Sequence, residues 1–214
     1  MRFMLLLLIA GVLAPAVLLA QAAAPGPRPA QPDVALLVID IQSFYFEGGL
    51  VPLTGSVEAA AQARRVLEKF REKHLPVIHV RHLAKDAPVG GDGEPKDPQY
   101  RIRPEVAPAQ GEKVITKHYA NSFRNTELLD YLRRNGITKL VITGMQTHMC
   151  VEAAARAAAD LGFDVTVVSD ACATRPLEFG GRTVPADQVH AAALAALKGT
   201  YAKVVSVDEL LEGM

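Results

Sequence analysis

Cys150 stands six residues before Arg156 in THMCVEAAAR. A Cys-x5-Arg spacing belongs to cysteine phosphatase loops, so phosphate chemistry is the first reading to weigh. A phosphate cradle needs backbone N–H groups curled round an anion, usually with glycines, and an arginine turned inward. VEAAA is instead a helix-forming run, and Glu152 within it would repel phosphate. Arg156 lies nearly two turns along that helix, too far to close over the thiol. The match is a coincidence of a short motif. Arg156 is assigned to structure, bonding toward a neighbouring carboxylate.

Another chemistry needs Asp40 and Lys117. Only a thiolate attacks efficiently, and a free thiol titrates above neutrality. A helix N-terminus and a nearby ammonium both favour the anion. Lys117 could bring that positive charge. Asp40 could take the thiol proton and return it to a leaving amine. Backbone N–H groups in the turn before Cys150 could hold a developing oxyanion. Each residue also has a plainer reading. Asp40 could cap a helix or pair with Lys117 as a structural ion pair. Lys117 could be a solvated lysine, and Cys150 a small buried hydrophobe.

The elements that must position these groups follow from apolar patterning. Val34–Asp40, Pro76–Val80, Lys113–Thr116, Lys139–Gly144, Asp164–Asp170 and Lys203–Val207 read as short strands rich in β-branched residues. None alternates cleanly, so both faces are expected to be covered. Helices are expected at Ser56–Lys73 with Ser56 as N-cap, at Asn125–Asn135, at Cys150–Leu161 ending before Gly162, and at Pro185–Lys198. This alternation predicts an α/β layer fold with a parallel sheet, whose ligands bind at the carboxyl ends of strands. Asp40, Lys117 and Cys150 all emerge at that edge. Residues 84–109, rich in Gly, Pro and charge, are read as a loop bordering the site.

Three blocks carry a resemblance that spans about Val34 to Leu211. They are LLVIDIQSFYFEGG, PAQGEKVITKHYANSFRNTELLDYLR and VITGMQTHMCVEAAARAAADLGFDVTVVSDACAT. The sequence resembles the isochorismatase-like cysteine hydrolases, the superfamily that includes nicotinamidases and N-carbamoylsarcosine amidohydrolases. The resemblance implies a three-layer α/β/α domain around a six-stranded parallel sheet, in the Rossmann-like order 3-2-1-4-5-6. It puts Asp40, Lys117 and Cys150 on the catalytic triad and a non-proline cis peptide at Met145-Gln146. The backbone amides of Gln146 and Cys150 would form the oxyanion hole. It implies cleavage of a C–N bond in a small amide or carbamoyl compound through a Cys150 thioester, with no organic cofactor. The alternatives are vinyl-ether hydrolysis of the isochorismatase type, which some members without the cysteine perform, or a homologue that binds a small molecule without turning it over. Oligomers are common in the superfamily, so a homodimer or higher homo-oligomer is the expectation.

Two departures from the pattern bear on the pocket. Ser43 and Tyr45 stand where the family often has Asn and Phe. After the second strand nicotinamidases hold a metal with an Asp and two His. This chain offers Arg81 and His82 there with no carboxylate between them, and His79 and His82 would point to different faces. No metal site is expected. Gln42, Phe44, Tyr45, His82, Tyr119, Phe123, Thr147 and His148 are the candidate substrate-binding residues near the strand ends. His118 and His190 receive no role.

Residues 1–24 read as a secretory signal peptide. Arg2 precedes an apolar run, and Ala20-Gln21-Ala22 and Ala22-Ala23-Ala24 are small-x-small cleavage sites. An uncleaved membrane anchor is the alternative, although Pro15 interrupts the run. Residues 25–32, PGPRPAQP, form a Pro-rich spacer, and 33–214 the hydrolase domain, of about 180 residues. Export to the periplasm or beyond would follow, with no membrane contact after cleavage. In an oxidising space the two cysteines, Cys150 and Cys172, could pair, which would switch off the nucleophile. The formal charge is zero, or minus one once Arg2 is removed, and no basic block offers a nucleic-acid footprint. The expected partner is a small-molecule substrate.

Overall fold

The computed structural model describes residues 32–214. The leader and all of the spacer except Pro32 lie outside the described residues. In chain order the strands are β1 (Val34–Ile39), β2 (Val77–His82), β3 (Lys113–Lys117), β4 (Lys139–Met145), β5 (Asp164–Ala173), β6 (Leu177–Phe179), β7 (Arg182–Val184) and β8 (Lys203–Val205). The α-helices are α1 (Ser56–Glu72), α2 (Leu128–Arg134), α3 (Glu152–Asp160), α4 (Ala186–Leu197) and α5 (Val207–Glu212). Six strands make one parallel sheet in the order β3-β2-β1-β4-β5-β8. This is the expected order, with β8 in the sixth place because β6 and β7 form a separate antiparallel hairpin.

Both faces of the sheet are covered, as the unbroken apolar strands require. Along β1, Ala35, Leu37 and Ile39 join one core with Leu128 and Leu132 of α2, Ala154 and Ala158 of α3, and Leu197 of α4. Leu36 and Val38 join the other core with Ala63, Leu67 and Phe70 of α1 and Val207 of α5. Successive side chains therefore enter opposite layers, the period of a strand. Each such Leu or Ile, removed wholly from water, contributes about 1.5–3 kcal/mol.

Several boundaries differ from the sequence reading. Gly55, not Ser56, precedes α1, in a left-handed conformation with φ 73°. The second helix begins only at Leu128. Cys150 lies outside α3, in a π-helical turn, Thr147–Val151, that leads into it. The last sheet strand stops at Val205 because Ser206 and Glu209 form a reciprocal capping box that starts α5. The 84–109 segment is mainly irregular, with short turns at Pro98–Tyr100 and Pro104–Val106.

β4 crosses the end of β1 unusually closely. Gly144 has φ 134°, and a Cβ there would overlap the Ile39 carbonyl. Only glycine fits both the conformation and the space. The β4–β5 register also shifts between Ile142 and Gly144. Next along each chain come Asp40, in the left-handed region at φ 50°, and the Met145–Gln146 peptide, which is cis.

Candidate active site

Three strands deliver three reactive groups to one buried point. Asp40 follows β1, Lys117 ends β3, and Cys150 sits in the π-helical turn after β4. Lys117 Nζ is 2.6 Å from Asp40 Oδ2, and both side chains are wholly buried. The contact is an ion pair rather than a well-directed hydrogen bond, and Asp40 Oδ1 has no hydrogen-bond partner within the fold. The Cys150 thiol is near enough to both groups for the Asp40 charge to raise its pKa and the Lys117 charge to lower it.

The electrostatics set the resting protonation states. Burial and then the Asp40 charge push the Cys150 thiol up to about 12, against the opposing pull of Lys117. Lys117 does favour the anion, as expected, but it does not decide the balance. In this dry pocket desolvation and the carboxylate outweigh the ammonium. Burial works to lower the Lys117 pKa, but Asp40 and Cys150 outweigh it and hold the ammonium above its ordinary value. The resting site is a neutral thiol beside a carboxylate–ammonium pair.

A cavity of about 320 Å³ opens beside this cluster, lined by Phe44, Tyr45, Leu50, Val51, His82, Ala84, Tyr100, Gln146, Met149 and Arg175. Gln146 precedes the turn that holds Cys150, and Met149 within that turn is the residue before the thiol. Ala84 and Tyr100, from the irregular segment, form part of its wall, so that segment does border the cavity. A larger cavity, about 560 Å³, lies at the opposite edge near the strand starts Val34, Lys139 and Asp164, away from the thiol.

Of the candidate binding residues, Phe44, Tyr45 and His82 line the smaller cavity. The Tyr45 hydroxyl accepts from Gln146 Nε2 at 3.3 Å, and burial, then the Asp40 charge, hold its phenol protonated. The other five do not line it. The Gln42 amide is spent on backbone, donating to the carbonyls of His82 and Tyr100 and accepting from the His82 N–H. It braces β1 to β2 and to the irregular segment. Phe123 packs against the Phe163 ring, 6.2 Å between centroids. The Tyr119 ring lies under the Arg124 guanidinium, and its carbonyl accepts from Lys117 Nζ at 3.2 Å. Thr147 Oγ1 bonds His190 Nδ1 at 2.9 Å, and His148 Nδ1 bonds Thr174 Oγ1 at 2.5 Å. His190 thus braces the turn that carries the thiol, and His118 Nδ1 contacts the Leu83 carbonyl.

Arg175 was missed. It follows β5, and its Nε is buried without a hydrogen-bond partner. It is the single formally charged side chain among the cavity-lining residues. The same strand-end logic that finds Asp40 and Lys117, carried three residues past Cys172, would have found it.

At the end of β2, Arg81 and His82 face opposite ways. Arg81 donates to Thr116 Oγ1, Glu94 Oε1 and the Gly93 carbonyl, tying down the Gly-rich loop. His79 turns to Glu112, 2.8 Å away. Among the described residues no group of three or more His, Cys, Asp or Glu could hold a metal ion. Cys150 and Cys172 are both free and buried. Arg156 pairs with Glu152 at 2.6 Å, one turn back along α3, and its guanidinium covers the Tyr201 ring.

Residues 34–209 match the model of the Isochorismatase domain. The chain belongs to the isochorismatase family. It is 42% identical over 178 residues to the uncharacterized isochorismatase family protein YddQ of Bacillus subtilis, covering 83% of this chain and 98% of that protein. A solved isochorismatase-hydrolase-type structure from Oleispira antarctica superposes with a TM-score of 0.80 at 47% identity, covering 87% of this chain and all of the other. Maleamate amidohydrolase of Pseudomonas putida is 32% identical over 154 residues, 66% of this chain and 72% of that enzyme. This isochorismatase-family chain thus shares its fold and family with hydrolases, one of which acts on an amide by its name.

Proposed function

We propose that this chain is a cysteine hydrolase that cleaves a C–N bond in a small amide or carbamoyl compound through a thioester on Cys150. The observation that carries the reading is the meeting of Asp40, Lys117 and Cys150 at one buried point. A thiol held near 12 is inert until a neighbouring base takes its proton. Asp40 accepts that proton as sulfur attacks the carbonyl carbon, and Lys117 keeps the neighbouring charge balanced. The carbonyl electrons move to oxygen, where the amides of Gln146 and Cys150 would hold the oxyanion. Collapse breaks the C–N bond, and Asp40 returns the proton to the departing amine or ammonia. Water then hydrolyses the thioester.

The cavity narrows the substrate class. Its walls are largely apolar and aromatic, and Arg175 is the one fixed charge on them. A compact amide with a carboxylate or similar anion placed toward Arg175 matches both features. The amide substrate of maleamate amidohydrolase accords with this reading.

The test is a screen of small amides and carbamoyl compounds for ammonia release, run beside Cys150→Ala. Release by the wild-type chain that is abolished in the variant supports the thioester route. Release that survives the substitution overturns it.

A further inference from the structure

We propose that His82 is the base of the second half-reaction, taking a proton from the water that hydrolyses the Cys150 thioester. The proposal rests on the thioester reading above and assigns the water-activating step, which that reading leaves without a named base. Asp40 is wholly buried with its Oδ2 held by Lys117, and like Cys150 it lies behind the residues that line the cavity. Water entering the cavity meets His82, which does line it.

Placement follows from strand register. His82 is the residue of β2 paired directly with Lys117 of β3. In a parallel sheet such partners project to the same face, about 5 Å apart. The imidazole therefore stands beside the ammonium of the cluster, while Val80 and Ile78 fill the same face below it. Gln42 fixes the residue from both sides, accepting from its N–H at 2.7 Å and donating to its carbonyl at 3.0 Å. The ring itself is left uncommitted, since Nδ1 is buried with no hydrogen-bond partner. A rigid backbone that carries an imidazole with free hydrogen-bonding capacity is what a positioned base requires.

The charged and titratable groups facing His82 are Asp40 after β1, Lys117 and His118 on and after β3, and Tyr45, Tyr100 and Arg175 on the cavity wall. Burial first, with Lys117 and His118 adding to it against Asp40, lowers the imidazole pKa and keeps the ring neutral at neutral pH. In the step, one water O–H bond breaks. The proton goes to an imidazole nitrogen, and the oxygen bonds to the acyl carbon. The tetrahedral adduct collapses with cleavage of the C–S bond, and the electron pair leaves with sulfur. The imidazolium proton then passes to sulfur, restoring the neutral thiol and the neutral ring.

The experiment uses p-nitrophenyl acetate as acyl donor to the full chain. Nitrophenol appearance reports acetylation of Cys150, and mass spectrometry follows loss of the acetyl group. In His82→Gln and His82→Ala, deacetylation should fall about 100-fold or more, and at least about tenfold further than acetylation does. The pH dependence of deacetylation should lose its imidazole inflection in both variants. Unchanged deacetylation overturns the role of His82 but leaves the thioester reading standing. Equal loss of both half-reactions also overturns it, since a residue that merely shapes the site would act on both. A wild-type chain that is not acetylated at Cys150 overturns the thioester reading itself.

Discussion

Lys117 and Asp40 close a 2.6 Å ion pair over β2, the strand that separates their own strands in the sheet. Neither side chain reaches solvent. A buried pair of this kind is weak evidence for stability, because desolvating two charges costs as much as their attraction returns. What it does provide is a preorganised field around the third member. The Cys150 thiol is pushed up by burial and by Asp40 and pulled down by Lys117. Proton position in the site is therefore governed by which of these charges is present.

Asp40→Asn should separate reactivity from catalysis. The substitution removes the carboxylate that raises the thiol and leaves Lys117 facing the sulfur. The thiol pKa should fall, and alkylation of Cys150 by iodoacetamide at neutral pH should speed up, about tenfold for each unit of relief. On the proposed mechanism amide hydrolysis should drop about 10²- to 10⁴-fold, because the group assigned to carry the proton to the amine is gone. A thiol that alkylates more slowly in the Asn variant would contradict this account.

Much of this arrangement is legible in the amino-acid sequence, and the reasons differ by element. The buried strands announce themselves because both faces are covered, so runs such as ALLVI need no polar alternation. Asp40, Lys117 and Cys150 are visible because each follows such a run. The binding residues are less legible because side-chain direction near a strand end depends on local twist. Gln42 and Tyr45 are three residues apart, yet the first is consumed by backbone groups and the second faces the cavity. Arg175 directly follows the third block, and what the sequence does not show is that its side chain reaches the cavity. The thiol's raised pKa was hidden for another reason. Burial depth is a tertiary property, and a sequence shows the nearby charges without the solvent they lack.

Glu112 gives a stability prediction with a defined pH window. Burial would raise its pKa, but Arg71, the Ala109 N–H and His79 outweigh that and hold the carboxyl at about 2, below the ordinary 4.5. A depressed carboxyl stabilises the fold fully above its unfolded pKa and loses that contribution as pH falls through the folded one. Glu112→Gln should therefore cost about 1–3 kcal/mol at pH 7, the scale for leaving buried charged partners unmatched. The difference from wild type should shrink as pH drops from 4.5 toward 2. Urea midpoints at neutral and acid pH measure it, and a gap that stays constant would show that the carboxylate charge is not what Arg71 and His79 require.

Arg175 sets the last expectation, which concerns selectivity rather than rate alone. Its Nε is buried without a partner, and the neighbouring walls offer aromatic and aliphatic surface rather than competing acids. A substrate anion is the group that would complete it, and planar guanidinium geometry suits a carboxylate in two-point contact. Arg175→Ala should lower kcat/KM about 10- to 100-fold for amides bearing a carboxylate, the equivalent of one lost charged hydrogen-bond pair. Neutral amides of similar size should change by less than about threefold, because they never used the charge. Arg175→Lys should recover only part of the loss, since an ammonium keeps the charge and gives up the fork. Paired kinetics on one anionic and one neutral amide decide the matter. Equal losses on both would mean that Arg175 shapes the cavity wall and does not read the substrate.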